Sequence, residues 1–408
     1  MPRLAYFMHV PWNWARQRPH HGAEGLAHHY EVDVFLPADT PRLPAAAAPA
    51  GPALHPYRNA RAFFRTEAAA RLARYDLLWF CSPQGFSTLA PALAPGQRVV
   101  YDCMDEFLAF PHIAAGRTGF ARALADEVEL VARADLIFCS SRTLARRLRT
   151  RYRPPAPLRV VHNAAEIADD PGDTAARDGD LKRIVYAGTV SRWFDFPLVL
   201  DGLDQFPSTQ VELYGPADVA IPAHPRLRHH GQQPHPRLHG LLRAADLLVM
   251  PFVVDDLIEA VNPVKLYEYI HAGVPAAAVR YAEAEIFRDY VHLYDGPAGY
   301  RALLQRLVEG RLRPRAGPAR ARAFVAAHTW ARRQQAWQRG VAELLRRPRG
   351  ERSAPAHLAD LRRHLARAAG HVESLEADLR RRDARIELLE RARARGSAAA
   401  ALPLPAER

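Results

Sequence analysis

The chain of 408 residues is poor in the features that mark disulfide-stapled, metal-caged and membrane-spanning proteins. Its three cysteines, Cys81, Cys103 and Cys139, lie far apart and form no C-x-x-C pair, which argues against a zinc or iron–sulfur cage and suits a reducing compartment. The apolar run at 247–254 contains Pro251 and is much shorter than the roughly 20 residues that a membrane span needs. We therefore expect a cytoplasmic protein, with contact at the inner face of the membrane left open.

Lysine is also scarce, because Lys182 and Lys265 are the only two and the remaining basic residues are arginines. The net charge is +12, and much of it is local: the segment 311–350 contains eleven arginines against one acidic residue, Glu343. An excess of Arg, Ala and Pro along the whole chain is typical of coding bias, so the charge does not indicate a nucleic-acid partner. A basic segment without a spanning helix favours either a solvated face or peripheral contact with an anionic membrane.

Short apolar runs alternate with helical stretches in two successive parts of the chain, which predicts an α/β protein with parallel sheets. The predicted strands lie at 4–10, 32–37, 76–82, 98–102, 134–141 and 158–163, and then at 183–188, 211–215, 245–252, 275–279 and 291–295. Between the two sets, a polar stretch at 168–180 has the composition of a linker. We expect one Rossmann-like domain at 1–167 and another at 181–350.

The C-terminal tail follows a different rule, since apolar residues recur there at alternating spacings of three and four. This heptad seam predicts a coiled coil over 354–394, followed by a disordered end at 395–408. The a positions are Leu358, Leu365, Val372, Leu379 and Ile386, and the d positions are Leu361, Ala368, Leu375, Arg382 and Leu389. An exposed stripe of this kind needs a partner: a second copy in a homodimer is the simplest, and a partner helix or the protein's own surface are alternatives.

The stretch NPVKLYEYIHAGVPAAA at 262–278 contains a helix with clear boundaries. Asn262 and Pro263 begin it, because proline is favoured in the first helical turn, and Gly273 ends it as a C-cap. The helix follows the buried strand at 245–252. Its N-terminus should therefore open at the carboxyl edge of a parallel sheet, where α/β proteins bind ligands.

This helix carries groups that suit a phosphorylated nucleoside. The backbone N–H groups of Val264, Lys265 and Leu266 lie in the first turn, where they and the helix dipole attract phosphate. Lys265 adds a positive charge, and the Glu268 carboxylate, one turn further on, can accept two hydroxyls such as a ribose diol. The alternative is an amphipathic helix with a surface Lys–Glu pair.

The chain resembles bacterial GT-B glycosyltransferases of the teichuronic-acid and exopolysaccharide type (glycosyltransferase family 4/1-like). Their donor motif, Pro-x-K-x-x-E-[YF]-x-x-x-G-x-P, is similar to the stretch at 262–278. Four other segments agree in order along the chain: WNWARQRPHHGAEGLA at 12–27, VVYDCMDEF at 99–107, YAGTVSRWFD at 186–195 and LYGP at 213–216. The heptad tail lies outside the resemblance.

The resemblance implies a glycosyltransferase with two Rossmann-like domains that face a cleft. The second domain would hold a nucleotide diphosphate sugar, and the first a glycan or lipid-linked glycan acceptor in cell-surface polysaccharide biosynthesis. A final helix with Trp330 and Trp337 would pack back across the first domain. No metal or other cofactor is expected, since the histidines are scattered or adjacent pairs rather than a metal-binding i, i+4 face.

The sequence departs from this family at one position. Many retaining members carry two glutamates eight residues apart; Glu268 would be the second, and the first falls on Ala260, with Glu259 one position away. The stereochemical outcome therefore stays open. Two alternatives also remain: a nucleotide-sugar epimerase on the same fold, and a coiled-coil scaffold with a degenerate transferase domain.

Further donor-site candidates follow the first strand of the second domain. Gly188 and Thr189 would allow the backbone to approach the ligand closely. Arg192 is a candidate, with Lys265, for neutralising the diphosphate as it leaves. The alternative for Arg192 is a surface arginine in an Arg-rich protein.

Two carboxylates, Asp102 and Asp105, come at the end of the strand at 98–102. Either one could act as the base for the acceptor hydroxyl or orient that hydroxyl, and the alternative is capping of a helix. We favour Asp105 as the functional carboxylate and Asp102 as partly structural.

The acceptor candidates follow the first strand of the first domain. Aromatic faces stack on sugar rings, and arginine holds anionic groups. The residues of this kind are Trp12, Asn13, Trp14, Arg16 and Arg18. The alternative is a packed loop.

Overall fold

A computed structural model of the protein describes residues 1–12, 16–38, 52–94, 96–166 and 180–348, and in the tail residues 356, 358–363, 367 and 381. Within these residues all strands pair in parallel and form two sheets, one of seven strands and one of six. The strands are β1 Arg3–Phe7, β2 Glu31–Pro37, β3 Ala53–Tyr57, β4 Leu77–Phe80, β5 Arg98–Cys103, β6 Leu136–Cys139 and β7 Leu158–Val160 in the first domain, and β8 Lys182–Ala187, β9 Thr209–Tyr214, β10 Leu227–His229, β11 Leu247–Met250, β12 Ala276–Val279 and β13 His292–Tyr294 in the second. The predicted pair of Rossmann-like domains is confirmed.

Helices cover the sheets of both domains. They are α1 Arg18–Ala27, α2 Ala60–Thr66, α3 Ala68–Leu72, α4 Phe86–Leu89, α5 Pro111–Ala114, α6 Arg117–Arg133 and α7 Arg142–Tyr152 in the first domain, then α8 Phe196–Gln205, α9 His235–Arg243, α10 Val264–Ala272, α11 Gly296–Val308, α12 Pro318–Ala327 and α13 Trp330–Arg346. Local caps fix several helix starts: Ser141 accepts from Leu144 N at 3.0 Å, and Asp195 accepts from Leu198 N at 3.0 Å. These caps place the N-termini of α7 and α8 just after strands β6 and β8.

The strand orders are β3-β2-β1-β4-β5-β6-β7 and β10-β9-β8-β11-β12-β13. The outer strands β3 and β10 are the two that the sequence pattern did not predict. Both are short and largely exposed, so they lack the apolar run that marks a buried strand. Pro56 lies within β3, where an edge strand tolerates the missing N–H.

Helix α13 returns to the first domain after the chain has completed the second. The side chain of Trp337 is fully buried there, at 6.4 Å from the ring of Trp79. Gln334 donates to the backbone carbonyl of His21 at 2.9 Å, and Gly340 lies so close to Phe138 that a β-carbon would meet its ring. The first domain is therefore built from residues 1–166 together with helix α13, which follows the second domain in the chain.

The tail begins against the first domain as well. Leu358 is fully buried within the core that lies between the first sheet and α6, and Leu361 packs beside it. Arg362 forms an ion pair with Glu129 of α6. Apart from Arg367 and Arg381, the rest of the predicted coiled coil lies outside the described residues, as do the predicted disordered end and nearly all of the predicted linker.

Candidate active site

A cavity of about 640 Å³ separates the two domains, at the carboxyl edges of both sheets. From the first domain it is lined by the ends of β1, β4 and β5 and by the start of α1. From the second domain it is lined by the loops after β8 and β11 and by the N-terminal turns of α10. Ligands of parallel α/β proteins bind at this edge.

Lys265 lines this cavity from the second domain and lies in the first turn of α10. Its ammonium lies 5.6 Å from the ring centre of Tyr186 and 5.8 Å from that of Phe252. Burial lowers the pKa of Lys265, and nearby Glu268 partly opposes that shift. A cation in such surroundings gains most when an anion comes to it, since the surrounding rings exclude water.

Gly188 makes room for that lysine. Its φ is +145°, a conformation that favours glycine, and a β-carbon there would collide with Cε of Lys265. Thr189, the next residue, lines the cavity, and its carbonyl accepts from the Tyr186 hydroxyl at 2.8 Å. The glycine predicted for close approach to a ligand thus approaches the lysine itself.

The other donor-side candidates on α10 differ in their roles. Val264 and Glu268 line the cavity together with Lys265. Leu266 does not: its side chain is fully buried, and its N–H already donates to the carbonyl of Pro263 at 3.2 Å. The expectation that three free N–H groups meet a phosphate is therefore corrected to two, those of Val264 and Lys265.

Asn262 lines the cavity and also joins the two domains. Its side-chain oxygen accepts from Asn163 N at 2.9 Å, and its backbone carbonyl accepts from Asn163 Nδ2 at 2.8 Å. The Asn262 side-chain nitrogen is buried and has no hydrogen-bond partner within the described residues. A buried donor without a partner is unfavourable, which makes this nitrogen available to a ligand.

Arg192 lies outside the cavity lining. It is partly exposed and pairs with Asp255 at 2.9 Å. The prediction that Arg192 neutralises a leaving diphosphate is not supported by this placement, because the guanidinium is held by a carboxylate on the outer side of the loop.

The missing first glutamate also has a structural explanation. Ala260 is fully buried and packs into the core of the first domain, so a longer side chain would not fit there. Glu259 points to α7, where its carboxylate accepts from Arg147 at 2.6 Å. Glu259 therefore serves the contact between the domains.

Asp105 lines the cavity from the first domain, and burial raises its pKa to about 6, with Arg18 partly opposing the shift. Asp102 is fully buried and does not line the cavity. Its two oxygens accept from Arg18, at 2.6 Å from Nη2 and 3.0 Å from Nε. The proposed catalytic role of Asp102 is therefore corrected: this carboxylate is committed to a buried ion pair.

Asp105 gives a prediction on pH. If its carboxylate accepts the acceptor proton, kcat should rise with pH through about 6. Asp105→Asn should remove that limb and lower kcat by roughly 10²- to 10⁴-fold. Since folding raises this pKa, ionisation between about pH 4 and 6 also destabilises the wild-type protein, and the variant should lose that component of the pH dependence. An unchanged pH–rate profile in the variant would exclude Asp105 as the base; Asp201→Asn serves as control, because Asp201 lies on α8 and does not line the cavity.

The residues that the sequence predicted to bind the acceptor lie in different surroundings. Trp12 packs on the core of the first domain, 5.4 Å from the ring of His20. Arg16 lines the cavity and pairs with Glu24 at 2.6 Å and Glu166 at 3.4 Å. Asn13 and Trp14 lie outside the described residues.

Arg18 was predicted to hold an anionic acceptor, but its guanidinium is buried. Besides Asp102 it donates to the carbonyl of Val161 at 2.5 Å and to Asn163 Oδ1 at 3.4 Å, and it lies 4.8 Å from the ring centre of Trp337. Arg18 lines the cavity, and its contacts there join α1, β5, the end of β7 and α13, which is a positioning role.

Sequence reasoning missed His9, which lies just after β1 and lines the cavity. Its ring is exposed to the cavity yet closely surrounded by protein, and this burial lowers its pKa to about 4, with His20 contributing. The imidazole is thus neutral at physiological pH. The position after a parallel strand was the available signal, but the histidines as a group were interpreted as solvated or structural.

Besides the Asn163–Asn262 pair and the Arg147–Glu259 contact, other hydrogen bonds between described residues hold the two domains together around the cavity. Glu283, which follows β12, accepts from the N–H and the hydroxyl of Thr143 in the first turn of α7, at 2.7 and 2.9 Å. Arg147, one turn further along α7, donates to the carbonyl of Asp256 at 2.6 Å. Arg333 of α13 donates to the Asn163 carbonyl at 3.2 Å, which fixes the returning helix to the first domain next to the Asn262 contact.

Among the described residues, no group of three or more His, Cys, Asp or Glu side chains is arranged to hold a metal ion. The absence of a metal requirement stays a prediction. The described helices also include none that is both long and apolar enough to cross a membrane.

Comparison with known proteins agrees with this architecture. Residues 20–169 match the model of Glycosyltransferase Family 4, which covers most of the first domain. No curated protein matches the chain by sequence. The family resemblance inferred from the motifs is confirmed in this region.

Solved structures of other proteins match this chain over both domains. Sucrose-phosphate synthase from Thermosynechococcus elongatus has a TM-score of 0.67 at 16% identity, covering 85% of this chain and 99% of that chain. HepE from Anabaena in complex with UDP has a TM-score of 0.61 at 15% identity, covering 84% and 100%. HepE in complex with UDP-glucose has a TM-score of 0.58 at 14% identity, covering 84% and 99%. At these identities the likeness establishes the fold.

Two parallel-sheet domains around a cleft, with α10 opening into it, define the GT-B class. Residues 20–169 match the Glycosyltransferase Family 4 model, and the chain is a glycosyltransferase.

Proposed function

We propose that the enzyme transfers a sugar from a nucleotide diphosphate sugar, bound by the second domain, to a glycan or lipid-linked glycan, bound by the first, in cell-surface polysaccharide biosynthesis. One observation carries the proposal: Lys265 and Glu268 on α10 open into the same cavity as Asp105 of the first domain. Groups that could bind a nucleotide diphosphate sugar thus share a cavity of about 640 Å³ with a carboxylate of the first domain.

The chemistry follows from these groups. The bond between the anomeric carbon and the diphosphate oxygen breaks, and the acceptor oxygen forms a new bond to that carbon. Lys265, the first-turn N–H groups of α10 and the Asn262 side-chain nitrogen would stabilise the diphosphate as its charge develops. Asp105 would accept the proton of the acceptor hydroxyl, and Glu268 would hold the ribose diol.

We propose UDP as the nucleotide of the donor. The support is that HepE, which shares the fold over 84% of this chain, binds UDP and UDP-glucose.

A thermal-shift series with UDP-, GDP-, TDP- and ADP-sugars tests the donor. A UDP-sugar at a hundred times its Kd should stabilise the protein by about 2.7 kcal/mol, and the others should stabilise it less. Product analysis of the same mixtures tests the reaction: a nucleotide released with glycoside formed supports transfer, whereas an isomerised donor with no acceptor requirement would support the epimerase alternative. Failure of every nucleotide sugar to raise Tm would contradict the proposed donor site.

Peripheral membrane contact at the inner face is also part of the proposal. Arg311 and Arg320 of the basic segment pair with Glu309 and Asp289. Other arginines are exposed on and around α12 and α13, namely Arg313, Arg315, Arg322, Arg332, Arg339, Arg346 and Arg347. Each basic residue that reaches an anionic surface adds about 1 kcal/mol of binding. Lack of co-flotation with anionic liposomes at low salt would leave a solvated basic face as the interpretation.

A further inference from the structure

The loop that carries Asp105 is held in place by the next residue, Glu106. We call residues 104–110 the Asp105 loop. Glu106 is almost fully buried, and its two carboxylate oxygens accept from different arginines of α7: Oε2 from Arg147 at 3.1 Å and Oε1 from Arg151 at 2.8 Å. Hydrogen bonds between charged groups are the strong ones, so α7 fixes the Asp105 loop.

Arg147 also holds the loop that precedes α10 in the second domain. We call residues 251–263 the α10 loop. The mostly buried guanidinium donates through Nη1 to the carbonyl of Asp256 at 2.6 Å, and through Nη2 to the carboxylate of Glu259 at 2.6 Å. The α10 loop leads directly into the helix that carries Lys265 and Glu268. One side chain thus contacts a loop from each domain.

Arg151, one turn further along α7, provides a contrast. It donates to Glu106 at 2.8 Å and to Glu127 at 3.4 Å, and both carboxylates belong to the first domain. Within the described part of the chain, the hydrogen bonds and ion pairs of Arg151 stay in the first domain. Removal of Arg151 should therefore loosen only that domain, whereas removal of Arg147 also releases the α10 loop.

The proposed reaction depends on the separation that this contact affects. Asp105 belongs to the first domain, while Lys265 and Glu268 belong to the second, so no contact within one domain fixes the distance between them. A misplacement of about 1 Å caused by a change away from the reacting groups can lower the rate by about 10²-fold. A residue that links the two loops is therefore in a position to control turnover.

We propose that Arg147 is a positioning residue: by binding both the Asp105 loop and the α10 loop, it sets the separation of Asp105 from the donor site. This inference rests on the proposed transferase function, which supplies the roles of Asp105 and Lys265. Arg147 itself does not line the cavity, so it acts through the two loops and not on the substrate.

Replacing Arg147 by alanine should lower kcat by about 10²-fold, with UDP-glucose as donor and methyl β-glucoside as acceptor probe. The Kd of UDP, measured by calorimetry, should stay unchanged, because the groups proposed to hold the diphosphate all lie in the second domain. Glu259→Ala removes one of the contacts to the α10 loop and should reproduce part of the loss in kcat. The double variant should be no worse than Arg147→Ala, since both changes break the same link.

Two other arginines of α7 serve as controls. Arg146 is exposed and does not line the cavity, so Arg146→Ala should leave kcat unchanged. Arg151→Ala should lower Tm, as Arg147→Ala does, but should lower kcat less because the α10 loop stays attached. An equal loss of kcat in Arg151→Ala and Arg147→Ala would overturn the inference, because the fixing of the Asp105 loop alone would then be responsible.

A distance measurement tests the same inference without turnover. Spin labels at Phe120→Cys on α6 and Arg306→Cys on α11, both exposed positions, report the separation of the domains by pulsed EPR in the presence of UDP, and the native cysteines are buried. The distance distribution should be longer or broader when Arg147→Ala is added. An unchanged distribution would overturn the inference.

Wild-type kcat in Arg147→Ala would also overturn the inference, and so would a weaker Kd for UDP that accounted for the whole loss, because the arginine would then serve donor binding. Failure of the proposed function has a different signature. The wild-type protein itself would then release no UDP from UDP-glucose, and the EPR distances would still show whether Arg147 sets the separation of the domains.

Discussion

Replacing Lys265 by alanine should weaken binding of a UDP-sugar by roughly tenfold to a hundredfold. A hydrogen bond to a charged group contributes about 1.5–3 kcal/mol, and this ammonium lies among aromatic rings rather than in water. Calorimetric titration of UDP-glucose into the wild-type protein and the variant measures the effect. Glu268→Ala should weaken uridine binding in the same titration, because the ribose would lose a charged acceptor.

The chain offers a matched control, since its other lysine, Lys182, begins β8 at the opposite edge of the same sheet and lies 3.8 Å from Asp246. Lys182→Ala removes the same charge and should leave donor binding unchanged. Gly188→Ala should reproduce part of the Lys265 defect, because its β-carbon would displace the lysine side chain. Equal donor affinity in Lys265→Ala and wild type would contradict the assigned diphosphate site.

Replacing Leu358 by alanine should lower the free energy of unfolding by about 2–5 kcal/mol, the range for large-to-small changes in a core. The leucine is fully buried against the first domain, although it lies beyond the last catalytic helix. Urea denaturation followed by tryptophan fluorescence measures the change. Deletion of the tail from Ser353 should have at least the same effect.

The control for this prediction is Arg362→Ala, one turn along the tail. Its ion pair with Glu129 is partly exposed and should contribute at most about 1 kcal/mol. If removal of the tail left stability unchanged, the contact of Leu358 with the first domain would be wrong, and the whole seam would be free for a partner. Sedimentation of the full chain and of the deletion then tests the predicted dimer, which stays a prediction.

Local signals predicted the donor side well. Pro263 at the start of α10 and Gly273 at its end lie within the segment itself, so the face that carries Lys265 and Glu268 follows from helix geometry. The alternation of buried strands and helices similarly predicted both sheets. Among the described strands, β3 and β10 were missed because most of their residues are exposed, so they lack that apolar pattern.

The sequence could not predict which side chains pair when they lie far apart along the chain. Arg18 and Asp102 are 84 residues apart, and each alone resembled a cleft residue, but together they form a buried ion pair. Glu259 resembled a displaced catalytic glutamate in the sequence, but in the structure its carboxylate accepts a hydrogen bond from Arg147.

The return of α13 to the first domain decides how enzymes of this kind could be recombined. Residues Ala165 and Thr329 form a parallel bridge where the chain crosses back, and the helix that follows supplies Trp337 to the other domain's interior. A chimaera that exchanges everything after the linker would import a foreign helix into the acceptor half and leave Trp79 and Phe138 with a mismatched neighbour. We therefore expect the proposed donor site to be transplantable as the insert 180–328, with both flanks kept native.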